Sequence, residues 1–271
     1  MKQPSVEELM RMCAAEFLAL FLFVFLSCGS ALVTGATVTS ISLSFGFTIL
    51  ALGHCFGHIS GGHINPAVTI ALTAAQKVDP IRCACFIIAQ VLGAVLGAAT
   101  LYGVMDKDSH NCLGSNMVAD GYEVGQAFGL ELVTTFVLVL TVFATTDEKN
   151  SEASTLGVFP IAMSVMICHL ISIPLTGCGI NPARSFGPAT VAVLAGLECA
   201  DKVMDDHYIF WFAPILGGLL AAFTYQMILT DNWLHASGGL IDVLRSKTLS
   251  PSNITVQDGF KPPPDLPQQA I

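Results

Sequence analysis

The chain has 271 residues, of which 53% are hydrophobic and 11% charged, with a mean hydropathy of +0.68. Soluble domains carry about a quarter charged residues, so the composition excludes an ordinary soluble fold and indicates a polytopic membrane protein in one bundle. A formal charge of −9 leaves no basic face for a nucleic acid.

Residues 1–11 read as a short cytosolic N-terminus. The apolar run from Met12 to Val33 is long enough to span a bilayer and lacks a small-residue cleavage site, so it reads as a signal anchor. A second span, Thr39 to Phe56, leads into Gly57-His58-Ile59-Ser60-Gly61-Gly62-His63-Ile64-Asn65-Pro66-Ala67-Val68-Thr69. Asn65 is a favoured helix N-cap, and Pro66 suits the first helical position because its missing N–H would have found no partner. The apolar run that follows, Ala67 to Ala75, falls well short of the roughly 20 residues a span needs. It predicts a half-helix whose N-terminus points into the membrane.

Spans are predicted next at Ile81 to Val104, Val124 to Thr145 and Thr155 to Pro174. Then comes a second copy of the motif, Thr176-Gly-Cys-Gly-Ile-Asn181-Pro182-Ala183-Arg184-Ser-Phe-Gly-Pro188, with another short helix after its cap. The last span runs from Tyr208 to Leu229. Beyond it lies a cytosolic tail, residues 231–271, rich in proline and polar residues from about Leu244 and expected to be largely disordered. The tail carries Ser246 and Ser250 as candidate phosphorylation sites; its partners are not legible.

The halves align. Glu16 answers Glu131 and Asn65 answers Asn181, at spacings of 115 and 116, while Gly93 answers Gly217 at 124. Repeat one covers about residues 12–105 and repeat two about 124–230, within a channel domain of 12–230. Three spans per repeat force the second copy to run in the opposite direction, so the expected fold is an all-α membrane protein. It has six transmembrane helices plus two re-entrant half-helices in two inverted repeats meeting near the midplane. With both termini in the cytosol, eight basic residues fall inside and only Lys107 and Lys202 outside. The sequon Asn253-Ile254-Thr255 then lies on the cytosolic side and stays unglycosylated.

Non-helical backbone at membrane depth is tolerated where protein covers it or where it lines water. If Asn65 and Asn181 cap their own helices through their carbonyl oxygens, each amide NH₂ is left to donate into a lumen. Two helix ends, each worth about half a positive charge, then face whatever passes. Arg184 breaks a local rule, because the first turn of a helix disfavours a cation, and its counterpart in repeat one is Val68; a charge at that depth points to function. Glu16 and Glu131 suit acceptance of loop amides better than a proton relay. His54, His58 and His63 are spaced as metal ligands could be, yet no Asp or Glu occurs between Glu16 and Asp79, so pore-lining or packed histidines fit better than a metal site. Of the nine cysteines most lie in apolar runs and read as small buried hydrophobes, whereas Cys112 and Cys199 lie in polar loops and could pair.

The motifs Ala15-Glu16-Phe17, Gly57 to Thr69 and Gly179 to Pro188 resemble those of the aquaporins, within the major intrinsic protein family, and the resemblance extends from Ala14 to Leu229. It implies a passive water-selective channel at the cell membrane, a homotetramer with one pore per subunit, no cofactor and no catalysis. By spacing, a selectivity filter falls on Phe45, twenty residues before Asn65, and on His169, Cys178 and Arg184, twelve before, three before and three after Asn181. Glycerol-conducting relatives are similar to a different set: a small residue at 169, an aromatic at 178, Asp at 185 and a basic residue at 189. Here His169, Cys178, Ser185 and Ala189 stand at those positions. Cys178 matches the position that confers mercury sensitivity. The alternatives are a channel that also passes glycerol, urea or hydrogen peroxide, a structural protein of cell junctions, and an intramembrane metalloenzyme.

Overall fold

The structure is a computed structural model that describes residues 4–106, 109–147, 149–150 and 156–229. The tail from 231 to 271, with Ser246, Ser250 and the Asn253 sequon, lies outside the described residues, as does Lys107. Among the described residues every regular element is helical.

Six long apolar helices and two short ones carry the fold. Helix α1 runs from Val6 to Phe23 and continues as a π-helical turn, Val24–Cys28; α2 is Val38–Ser60, and the half-helix α3 is Pro66–Ala74. Helix α4 is Pro80–Val104, α5 Val124–Thr145, α6 Phe159–Thr176 and the second half-helix α7 Pro182–Leu194. A six-residue helix α8, Ala200–Asp205, precedes α9, Ile209–Thr224, which ends in a π-helical turn, Tyr225–Leu229.

The spans match the hydropathy reading except at their ends. Helix α1 starts six residues earlier than expected because Ser5 and Glu8 form a capping box, Ser5 Oγ accepting from the Glu8 amide at 3.2 Å and Glu8 Oε2 from the Ser5 amide at 2.7 Å. The polar first turn does not register as apolar, although Ser-x-x-Glu was there to be read. Helix α6 runs two residues past Pro174, to Thr176: the proline gives up its own bond to the Leu170 carbonyl, and the turn continues after it, with the Gly177 amide reaching the Ile173 carbonyl at 3.1 Å.

Helix α1 packs on α4, α5 on α9, and α2 on α6. Each half-helix crosses over: α3 packs against α9 of the second half, and α7 against α4 of the first. Glycines permit these approaches in matched places. A side chain at Gly93 would strike the Phe17 carbonyl, and one at Gly217 the Leu132 carbonyl, each residue standing directly after the buried glutamate of its half. Only 33% to 44% of each span's apolar window is buried. Leu18, Ile88, Leu92, Val133, Ile167 and Phe212 point outward as an apolar belt for lipid.

Candidate functional site

Both loops leading to the half-helices are bent into conformations that need support. After α2 ends at Ser60, Gly61 and Gly62 take φ of +95° and +62°, and Ile64 follows at +50°. After α6 ends at Thr176, Gly177, Cys178 and Ile180 stand at +72°, +58° and +44°. Non-glycine residues rarely occupy this region and persist there only when the surroundings hold them.

A buried carboxylate holds each loop. Glu16 Oε1 accepts from Ser60 Oγ at 2.6 Å and the His63 amide at 2.9 Å, while Oε2 accepts from the Ile64 amide and Gln90 Nε2, both at 2.8 Å. Glu131 Oε1 accepts from Thr176 Oγ1 at 2.6 Å and the Gly179 amide at 2.7 Å, and Oε2 from the Ile180 amide at 2.7 Å. Neither glutamate has exposed surface. Three or four donors on each carboxylate satisfy the loop N–H groups that a helix would otherwise have used. At Gly179 only glycine fits, since a Cβ would come within 2.7 Å of the Phe210 ring and 2.9 Å of Glu131 Oε2.

At the caps, Asn65 Oδ1 accepts from the Ala67 amide at 2.8 Å and Asn181 Oδ1 from the Arg184 amide at 3.3 Å. The amide groups are not wholly free, as capping chemistry alone suggested. Asn65 Nδ2 donates to the Ile180 carbonyl at 2.8 Å, and Asn181 Nδ2 to the Ile64 carbonyl at 2.7 Å. Each cap thus spends one amide hydrogen clasping the opposite loop and keeps the second. The clasp sets the two helix N-termini, Pro66-Ala67 and Pro182-Ala183, tip to tip, so the positive ends of two helix dipoles converge.

A cavity of about 270 Å³ opens onto this junction, bordered by Asn65, Asn181, His63 and His169 at the caps and walled by apolar side chains such as Val68 and Leu138. That volume is far above the roughly 10–15 Å³ that admits a single water. His63 Nδ1 bonds Thr69 Oγ1 at 3.0 Å, and the hydroxyl donates in turn to the Asn65 carbonyl at 2.9 Å.

At the edge of the cavity formed by His169, the structure brings Phe45, His169 and Arg184 together. The Phe45 and His169 rings lie 4.0 Å apart between centroids, and the Arg184 guanidinium sits 5.0 Å from the Phe45 centroid. His169 Nδ1 lies 2.8 Å from the Val165 carbonyl, which can only accept; in the neutral ring the proton is therefore on Nδ1, and Nε2 is an acceptor with no partner among the described residues. Arg184 Nη1 donates to the Gly114 carbonyl at 2.9 Å, and its Nε has no partner among the described residues. Among the described residues no carboxylate is salt-bridged to Arg184. Cys178 has no exposed surface, and its amide donates to Thr176 Oγ1 at 3.1 Å.

Several residues of this site carried no readable role in the sequence. Gln90 bonds both Glu16 and Thr69 Oγ1, the latter at 3.1 Å. Asn116 donates to the Thr176 carbonyl at 3.0 Å and accepts from Ser185 Oγ at 2.8 Å. A buried amide inside a polar connection was the available signal for Asn116; nothing local marked Gly114. Cys112 and Cys199, left open by the sequence, form a disulfide with Cα atoms 6.0 Å apart.

Known proteins match this arrangement over most of its length. Aquaporin-1 of Canis lupus familiaris is 42% identical over 231 residues, covering 81% of this chain and 82% of its own. A rice protein (Oryza sativa subsp. japonica) named Probable aquaporin PIP2-6 is 41% identical over 244 residues, 84% of each chain. The X-ray structure of the aquaglyceroporin from Plasmodium falciparum superposes with a TM-score of 0.73 at 23% identity, covering 87% of this chain and 99% of that one, and so shares its fold. Residues 3–225 match the profile of the major intrinsic protein family, and the chain belongs to that family, as one of its aquaporins.

Proposed function

We propose that this protein is a passive, bidirectional, water-selective channel that excludes protons and ions and carries out no catalysis. The observation that carries the reading is the reciprocal clasp, in which each Asn amide binds the opposite loop's carbonyl and keeps one hydrogen beside the cavity. A water at that junction meets two N–H donors and two positive helix ends, so it turns its oxygen toward Asn65 and Asn181 and its hydrogens away, interrupting a proton-conducting chain.

Phe45, His169, Cys178 and Arg184 are proposed as the selectivity filter. The two adjoining rings restrict width, His169 Nε2 accepts from the permeant, and the Arg184 donors bind its oxygen while repelling cations. Glu16 and Glu131 support the loops, and His63 lines the path. Residues 12–230 would form the channel domain of a cell-membrane homotetramer with both termini cytosolic. The distribution of basic residues and the aquaporin membership support that assembly and orientation.

Proteoliposomes carrying the protein should shrink in hypertonic sucrose much faster than empty ones, admit glycerol slowly and hold a proton gradient. Equal shrinkage with and without protein would remove the reading, and rapid glycerol entry would replace it with a channel for small neutral solutes.

A further inference from the structure

We infer that the Cys112–Cys199 disulfide is a positioning element of the filter, acting through the segment that holds Arg184; the inference rests on the water-channel reading above.

Residues 111–116 form a strap laid along the second half-helix. Three of its residues are tied to the second half. Cys112 is bonded to Cys199, just past the end of α7; the Gly114 carbonyl accepts from Arg184 Nη1 in the first turn of α7; and Asn116 bridges the Thr176 carbonyl and Ser185 Oγ. The strap thus reaches from behind the half-helix to the base of its loop, with the Arg184 contact between two anchors.

Its backbone cannot hold this shape unaided. Asn111, Cys112 and Leu113 have φ of +28°, +56° and +55°, followed by Gly114 at +67°. Three consecutive non-glycine residues in the left-handed region are a costly conformation that surrounding bonds must enforce. On the Asn116 side the enforcement comes from two hydrogen bonds, and Leu113 is fully buried. On the other side His110, whose Nε2 lies 3.1 Å from the Tyr102 carbonyl, holds the strap to the first half, and the disulfide, two residues before the carbonyl that fixes the guanidinium, holds it to the second. Cutting that bond loosens the tie between Gly114 and the second half, and Gly114 is the only hydrogen-bond partner of the Arg184 guanidinium among the described residues. Both cysteines are half-buried and border an open cavity of about 880 Å³, which gives a small reductant a route to the bond. On the proposed orientation they face the cell exterior, where disulfides persist.

The experiment compares urea and water permeability in proteoliposomes, for the wild type before and after dithiothreitol and for the double variant Cys112→Ser/Cys199→Ser. Dithiothreitol closes to its cyclic disulfide as the bond becomes two thiols. Reduction should raise the urea-to-water ratio about fivefold, the factor that one net hydrogen bond gives. The double variant should show the same ratio without reductant and no further change with it. A ratio that stays within about twofold of the oxidised wild type in both cases would overturn the inference, because a bond serving only stability removes channels and lowers both fluxes together. Reducing the folded wild type keeps the test decisive if the variant fails to assemble. An oxidised wild type without water flux would instead overturn the underlying channel reading.

Discussion

Ahead of Asn65, Glu16 gathers Ser60, His63, Ile64 and Gln90; ahead of Asn181, Glu131 gathers Thr176, Gly179 and Ile180. The backbone plan is the same in both halves, down to a hydroxyl at the helix end, a left-handed glycine after it and an isoleucine at positive φ before the cap. The side chains diverge. His63 in one half is Gly179 in the other, and three residues beyond the caps Val68 faces the cavity where Arg184 faces Gly114. What the chain needs in order to bend twice at membrane depth is duplicated, and what would discriminate a permeant is carried by one copy.

The duplicated part should be the more costly to remove. Glu131→Leu leaves the Gly179 and Ile180 amides buried without acceptors and should destabilise the protein by at least about 2 kcal/mol, with Glu16→Leu costing more because the Ser60 hydroxyl loses its acceptor along with two loop amides, whereas the Thr176 hydroxyl keeps the Ser172 carbonyl. Heating in detergent and following the monodisperse fraction measures this; a Glu131→Leu protein as stable as the wild type would break the equivalence of the two halves. The unduplicated part should change selectivity instead. Arg184→Val, which copies Val68 into the second half, should keep water permeability and speed the decay of a proton gradient about tenfold or more, since a full charge leaves a low-dielectric constriction. An unchanged gradient would assign proton exclusion to the caps alone. Phe45→Ala with His169→Gly should raise glycerol entry about tenfold, the low end of what a single pocket contact discriminates. Continued exclusion of glycerol would place the narrowest point elsewhere. The smallest effect is expected for Cys178→Ser, with water permeability within about twofold of the wild type, as for a substitution of similar volume. Inhibition by mercury should be slow in the wild type, because the thiol is buried, and lost in the variant; retained inhibition would assign it to another cysteine.

The spans and both caps were legible because their signals are local. Six apolar runs and two Asn-Pro pairs need no knowledge of neighbours. The bonds that make a site of them were not. That each Asn amide would turn to the other loop's carbonyl depends on two helix tips 116 residues apart meeting, and no pattern along the chain announces it. Arg184 stood out as a charge in the wrong place, yet its partner is a backbone carbonyl in a strap that reads as an unremarkable polar connection. Glu16 and Glu131 fall between these cases, their symmetry visible and their ligands partly inferable, while Gln90 hid as one polar residue on an apolar helix.

The crossed seating of the half-helices bears on biosynthesis. A chain made from its N-terminus exposes α3 long before α9 exists to receive it, and α9 is the last long helix of the bundle. Asn65 lacks its partner carbonyl until Ile180 is made, and the half-helix lacks its seat for longer still, until α9 follows. A chain truncated before Ile209 would therefore leave the first half-helix without its cover, a ready mark for quality control.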